Sequence, residues 1–176
     1  MRDRYFYMYE SIKFKECFYA AHGERSEVLY NTFTAVTIII SIASVLVWSI
    51  SKSMPALWAI VIAIAQFAQA FSVKLPWADR IAALRYLLPE LKKLSLRIDR
   101  DWLALDIKHY DDKKIITLIS DYESAFSTLE SQFTQYASFP ENRSVLKKAE
   151  KDQRSYFYSK YPSTQYAEGS EPANAR

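Results

Sequence analysis

Thr32–Ser51 reads TFTAVTIIISIASVLVWSIS, and Ala56–Val73 reads ALWAIVIAIAQFAQAFSV. Between Thr32 and Val73 the chain carries no acid and a single base, Lys52, although Lys and Arg number 23 and Asp and Glu 20 over its 176 residues. A helix rises about 1.5 Å per residue, so each run is long enough to cover the roughly 30 Å hydrocarbon core of a bilayer. Two such runs back to back exceed what a soluble core hairpin ordinarily needs. A cleavable leader fits poorly, because the apolar stretch starts some thirty residues in and no small-residue cleavage pattern follows. The connection SKSMP (Ser51–Pro55) can only reverse the chain. Pro55 suits the first turn of the second helix, where its missing N–H is no loss.

The expected architecture is therefore all-α, a two-helix transmembrane hairpin carrying a cytoplasmic helical bundle or coiled-coil-like hairpin. Its expected divisions are an N-terminal cytoplasmic amphipathic helix (1–31), the hairpin (32–73), a cytoplasmic helical domain (74–161) and a flexible tail (162–176). Bases cluster on both outer flanks: Arg2, Arg4, Lys13, Lys15 and Arg25 before the hairpin, and Lys74, Arg80, Arg85, Lys92 and Lys93 after it. The positive-inside rule then puts both termini in the cytoplasm. Trp48 and Trp58 bracket the outer loop, and Tyr30 and Trp77 the inner boundary, as interfacial aromatic anchors.

Inside the hairpin, Thr34, Thr37, Ser41 and Ser44 recur at helical spacing on one face of the first run, and the second run carries Gln66 and Gln69. Small and polar side chains in lipid serve helix packing, within the hairpin or between protomers. They also line pores, and a single hairpin could do so only in an oligomer. No charge lies within either run, which weighs against a proton pump or ion-coupled transporter.

Tyr5, Tyr9, Ile12 and Tyr19 share a helical face in the first thirty residues, with a break or strain expected near Gly23. This helix could pack on the C-terminal helices or lie at the membrane surface. Beyond the hairpin, Leu84, Leu87, Leu91, Leu94, Ile98, Trp102 and Leu105 form a stripe in which Pro89 is expected to bend the helix or start a new one, making it a hinge candidate. KHYDDKK (Lys108–Lys114) reads as a turn. Ile115, Ile119, Tyr122, Phe126, Leu129, Phe133 and Tyr136 then alternate steps of four and three, an a/d seam that could pair within the chain or between subunits. Ser138-Phe-Pro-Glu141 resembles a capped helix start. The basic residues after it (Arg143, Lys147, Lys148, Lys151, Arg154) form either a solvated face or a contact for anionic lipid.

Catalytic patterns are not in evidence at this level. Two glycines cannot build a phosphate-binding loop, and one cysteine, Cys17, cannot form a disulfide framework or multi-cysteine metal site. His22 has no second ligand at metal spacing. The acids Asp99, Asp101, Asp106, Asp111 and Asp112 around His109 read first as a solvated helix end and turn. No catalytic, cofactor-binding or metal residue is assigned, and the chain is expected not to be an enzyme. A formal charge of +3 gives no reason to expect nucleic-acid binding.

From CFYAAHGERSEVLYNTFTAVTIIISI (17–42) through the hairpin to LPWADRIAALRYLLPELKKL (75–94), the layout resembles the SLATT domains. These are two-span effector modules of bacterial nucleotide-signalling conflict systems. The layout is also similar to the two-helix membrane effectors of some retrons. The resemblance covers residues 10 to 140 and lies in topology and helix order. It implies a protein of the bacterial inner membrane that oligomerises when a sensor or regulator encoded nearby is triggered. Such an effector of anti-phage defence then forms a pore or otherwise breaches the bilayer, arresting or killing the cell. Two alternatives fit the residues as well: a membrane anchor or scaffold that recruits a cytosolic partner without a pore, and a holin-like protein.

Overall fold

A computed structural model describes residues 1–50, 55–72, 76–108, 110–135 and 137–161, with side chains outside 44–58, 68, 69, 71–76 and 106–108. The protein is all-helical. Its elements are α1 (Arg2–Ile50), α2 (Pro55–Ser72), α3 (Pro76–Lys108), α4 (Asp112–Thr134) and α5 (Arg143–Lys160). The linker 51–54 and the tail 162–176 lie outside the described residues.

The N-terminal half of α1 forms a bundle with α3, α4 and α5. Tyr5 Oη donates to the Ile98 carbonyl (3.0 Å), while Gly23 lies beside Leu84 and Leu88, so α3 runs antiparallel to α1. Gln153 reaches the Glu10 carbonyl (3.0 Å) and Ser144 meets Arg25 (2.9 Å), so α5 is antiparallel as well. α4 runs parallel to α1, with the Tyr5 ring against Tyr122 and Tyr19 hydrogen-bonded to Glu130. The result is an up-down-up-down bundle. α2 lies outside it, doubled back along the C-terminal half of α1 to make a two-helix arm.

The apolar periodicities explain this arrangement. Leu84, Leu87, Leu91, Leu94, Ile98 and Leu105 of α3 are all buried. The α4 seam is used inside the chain: Ile115 and Ile119 are buried, and Tyr122, Phe126, Leu129 and Phe133 pack half-buried against the two core clusters. Tyr136 lies outside the described residues. The N-terminal aromatic face packs on its neighbours, with Tyr5 and Tyr9 wholly buried. In α5, Val145, Ala149, Gln153 and Phe157 point inward, whereas Arg143, Lys147, Lys148, Lys151 and Arg154 are exposed.

Three local expectations differ from what is found. First, α1 is unbroken at Gly23 and across residues 31 and 32, so one helix carries both the bundle segment and the apolar run. Gly23 is buried where α1 meets α3, and that packing holds it in helical backbone. Second, Pro89 neither ends α3 nor starts a new helix. It deprives only the Arg85 carbonyl of its N–H, and Arg85, Tyr86 and Pro89 all face solvent. Third, α5 starts at Arg143, capped by Asn142, whose side chain accepts from the Ser144 N–H (3.0 Å), and not at Ser138. The Ser138 carbonyl instead accepts from Arg80 Nε (2.6 Å), and Phe139 packs edge-on against Tyr19 and His22. These contacts hold the segment out of any helix. The turn expected over Lys108–Lys114 is narrower than its sequence suggests: α3 ends at Lys108 and α4 already starts at Asp112, so Asp112–Lys114 form the first turn of α4, and residue 109 lies outside the described residues.

A methyl group at position 23 would lie 3.5 Å from Leu84 Cδ1, an ordinary van der Waals contact. Gly23→Ala is therefore expected to stabilise the fold by about 0.5–1 kcal/mol through lost unfolded-state freedom. Urea unfolding of the detergent-solubilised chain tests this, and a destabilised variant would mean that α1 and α3 approach more closely than described.

Candidate functional site

The arm presents an unusual surface. Val36, Ile38, Ile39, Ile40 and Ile42 of α1 and Ile60, Ile64 and Phe67 of α2 are exposed, Ile39 and Ile64 to 64% and Phe67 to 70%. Fully withdrawing one such side chain from water is worth roughly 1.5–3 kcal/mol, so this much apolar surface marks an interaction site. One helix among the described residues, Arg2–Ala43, is long and apolar enough to cross a membrane.

The polar groups of the arm fall on different faces. Thr37 is buried, and Thr34 and Ser41 are half-buried, turned toward the rest of the protein. Thr37 Oγ1 donates to the Phe33 carbonyl and Ser41 Oγ to the Thr37 carbonyl, both at 2.8 Å. These hydroxyl protons are thus satisfied one turn back on their own helix, as suits an apolar setting. Gln66 is exposed among the isoleucines of α2. The side chains of Ser44 and Gln69 lie outside the described residues, as do those of Trp48 and Trp58. Tyr30 is exposed at the base of the arm, and Trp77 is half-buried with its ring 5.8 Å from Phe33.

A second polar site lies at the far end of the bundle. Asp99 of α3, 6% exposed, accepts from Tyr9 of α1 (3.0 Å), from Tyr161 (2.5 Å) and from Lys160. The single Tyr9 hydroxyl proton goes to Asp99, so Tyr156 must be the donor in the 2.9 Å contact between the two phenols. Lys160 also reaches the Tyr156 hydroxyl at 3.3 Å, which closes a ring of bonds joining α1, α3 and the end of α5. Burial by itself would raise the Asp99 carboxyl, but the hydrogen bonds from Lys160, Tyr161 and Tyr9 together hold it below the usual carboxylate range. Burial, then the bond with Tyr156, pushes the Tyr9 phenol far up. Nearby, Tyr122 donates to Asp101 (2.6 Å). Asp99 and Asp101, expected at a solvated helix end, are thus committed to contacts between helices. Sequence spacing gave no sign of this, since the partners lie up to 90 residues away.

Cys17 is half-buried, and burial pushes its thiol up to about 11, so it is a poor nucleophile at neutral pH. Pro89 is exposed on the outer face of α3.

No known protein family, curated sequence or solved structure matches this chain. The site must therefore be read from its own geometry.

The Asp99 ring predicts a defined pH response. A lowered folded-state pKa contributes stability that is complete above the ordinary Asp value of about 3.9 and is lost as pH falls through the lower folded value. Lys160, raised in the fold, works oppositely, its contribution lost only as pH climbs through a value above the ordinary lysine range. Asp99→Asn is expected to cost about 2 kcal/mol at neutral pH, the scale of hydrogen bonds to a charged group. It should also flatten the acid limb of the stability curve. Urea titrations at neutral and acid pH check both, and an unchanged acid limb would remove Asp99 from the account.

Proposed function

We propose that the chain is a two-span membrane effector that acts on the bilayer rather than by catalysis. In this reading α2 and the C-terminal half of α1 are the two spans, both termini are cytoplasmic, and the bundle is the cytoplasmic regulatory part. The observation that carries it is the outward apolar surface of the arm, Ile39, Ile64 and Phe67 above all, on two runs with no charge inside them. Orientation is supported by the bases at the foot of the arm, where Arg25, Arg80 and Arg143 come from three different helices. α5 runs antiparallel to α1, so its basic face would stand along the bundle, exposed to cytosol.

Oligomerisation follows from Gln66. A primary amide directed into hydrocarbon without a partner is unfavourable, and a second protomer offers one. A cytosolic regulator acting on the bundle would move the spans, because α1 belongs to both. The resemblance to SLATT-type and retron-associated effectors adds the biological setting: a bacterial inner-membrane protein of anti-phage defence that arrests or kills its host on a trigger. The inward hydroxyls of Thr37 and Ser41 favour a second reading, a hairpin anchor without a pore, since they leave few polar groups on the described outer surface.

The two readings separate in cells. Under the effector reading, induced expression collapses membrane potential and admits propidium, and replacing Gln66 and Gln69 by leucine abolishes both effects while the protein stays in the membrane fraction. Dye exclusion by the parent chain would favour the anchor. Recovery of the chain in the detergent-free soluble fraction as a monodisperse species would overturn both.

A further inference from the structure

At the foot of the arm, α1, α3 and the segment before α5 enclose a cavity of about 140 Å³ lined by His22, Arg25, Ser26, Arg80, Pro140 and Asn142, together with Leu29. No lining residue is acidic. Glu24, next to Arg25 in sequence, pairs with Lys148 instead. Each guanidinium is anchored through one contact, Arg25 Nη1 to Ser144 Oγ (2.9 Å) and Arg80 Nε to the Ser138 carbonyl (2.6 Å). Arginine carries five N–H donors, so both retain donors for a ligand.

His22 is the decisive group. It is 3% exposed, wedged between the rings of Phe18 (4.7 Å) and Phe139 (5.7 Å). The backbone of Pro140, which has a carbonyl and no N–H, lies beside the ring and favours its protonated form. Nε2 is buried without a hydrogen-bond partner. Such an orphaned atom is costly to bury unless something else bonds it. Burial, then Arg80, then Arg25 disfavour protonation of the ring, with the Pro140 backbone opposing them. The charged groups facing it are Arg25 from its own helix and Arg80 from α3. An anion between the two guanidiniums would reverse that balance and turn Nε2 into a donor toward the ligand.

We infer that this cavity is a binding site for a phosphate-class anion, held by the Arg25 and Arg80 forks and by Nε2–H of His22, with the Ser26 hydroxyl and Asn142 amide completing the shell. Paired planar guanidiniums match the oxygens of a tetrahedral phosphate bidentately. The anion can reach the site as a free phosphate or phosphomonoester, or as the headgroup phosphate of a lipid. Only the lipid source rests on the membrane reading, in which Arg25, seven residues before Thr32, and Arg80, seven after Val73, stand at headgroup depth.

The test uses the full chain with His109→Gln, which leaves His22 as the sole histidine, purified through a tag without histidine. In maltoside detergent, which contains no phosphate, inorganic phosphate is titrated while nitrogen NMR follows the His22 ring. Phosphate is expected to raise the proton affinity of His22 about tenfold and saturably, whereas chloride at equal ionic strength is not. Arg80→Lys keeps the charge but loses the fork, and should weaken phosphate roughly tenfold. Arg25→Gln is the second variant, with urea unfolding as the check that either still folds. The same titration is then repeated in phosphatidylglycerol nanodiscs. A His22 already raised and indifferent to added phosphate assigns the site to lipid, and an unchanged phosphate response assigns it to the free anion. The site is overturned if chloride matches phosphate, or if neither phosphate nor the nanodisc raises His22. The detergent titration requires no bilayer, so its failure is distinct from failure of the effector reading.

Discussion

A single helix that must satisfy its own backbone in two different surroundings governs this structure. α1 contacts each of the other four helices, its first half in the bundle and its second half in the arm. Its backbone hydrogen bonds run without interruption across the junction at residues 31 and 32, so one element leaves a packed aromatic core and continues into the exposed apolar surface of the arm.

The bundle uses polar contacts differently at its two ends. Far from the arm, Tyr9, Tyr156, Asp99, Lys160 and Tyr161 satisfy one another in a closed ring. Directional bonds of that kind fix the axial register of α1, α3 and α5, which aromatic packing alone would hold less strictly. At the arm end, His22, Arg25 and Arg80 leave donors and a ring nitrogen uncommitted. One end is complete in itself, and the other is built to receive something.

Much of this was legible in the sequence wherever periodicity carried the information. The leucine stripe of α3 and the α4 seam follow local hydrophobic spacing, with the leucines of α3 buried and the described α4 residues buried or half-buried against the core. Two of the departures arise where distant contacts override local preference. Gly23 stays helical because α3 packs on it. Pro89 is absorbed because only one exposed carbonyl loses its bond. Ser138 fails to cap because Arg80, 58 residues earlier, takes its carbonyl. The Asp99 ring and the His22 cavity were hidden for the same reason, since each collects residues from helices whose adjacency no spacing rule reveals.

The continuity of α1 also fixes an angle. Each residue of an α-helix turns the chain by about 100°, so the azimuth at which the exposed Ile38, Ile39 and Ile42 of α1 face outward is locked to the azimuth at which Tyr5 and Tyr9 face inward. Adding or removing one residue between Ser26 and Thr32 would leave both surfaces chemically intact while swinging one about a third of a revolution around the other. Natural length changes at this junction would therefore alter which sides of neighbouring molecules meet, independently of any change in what those sides are made of.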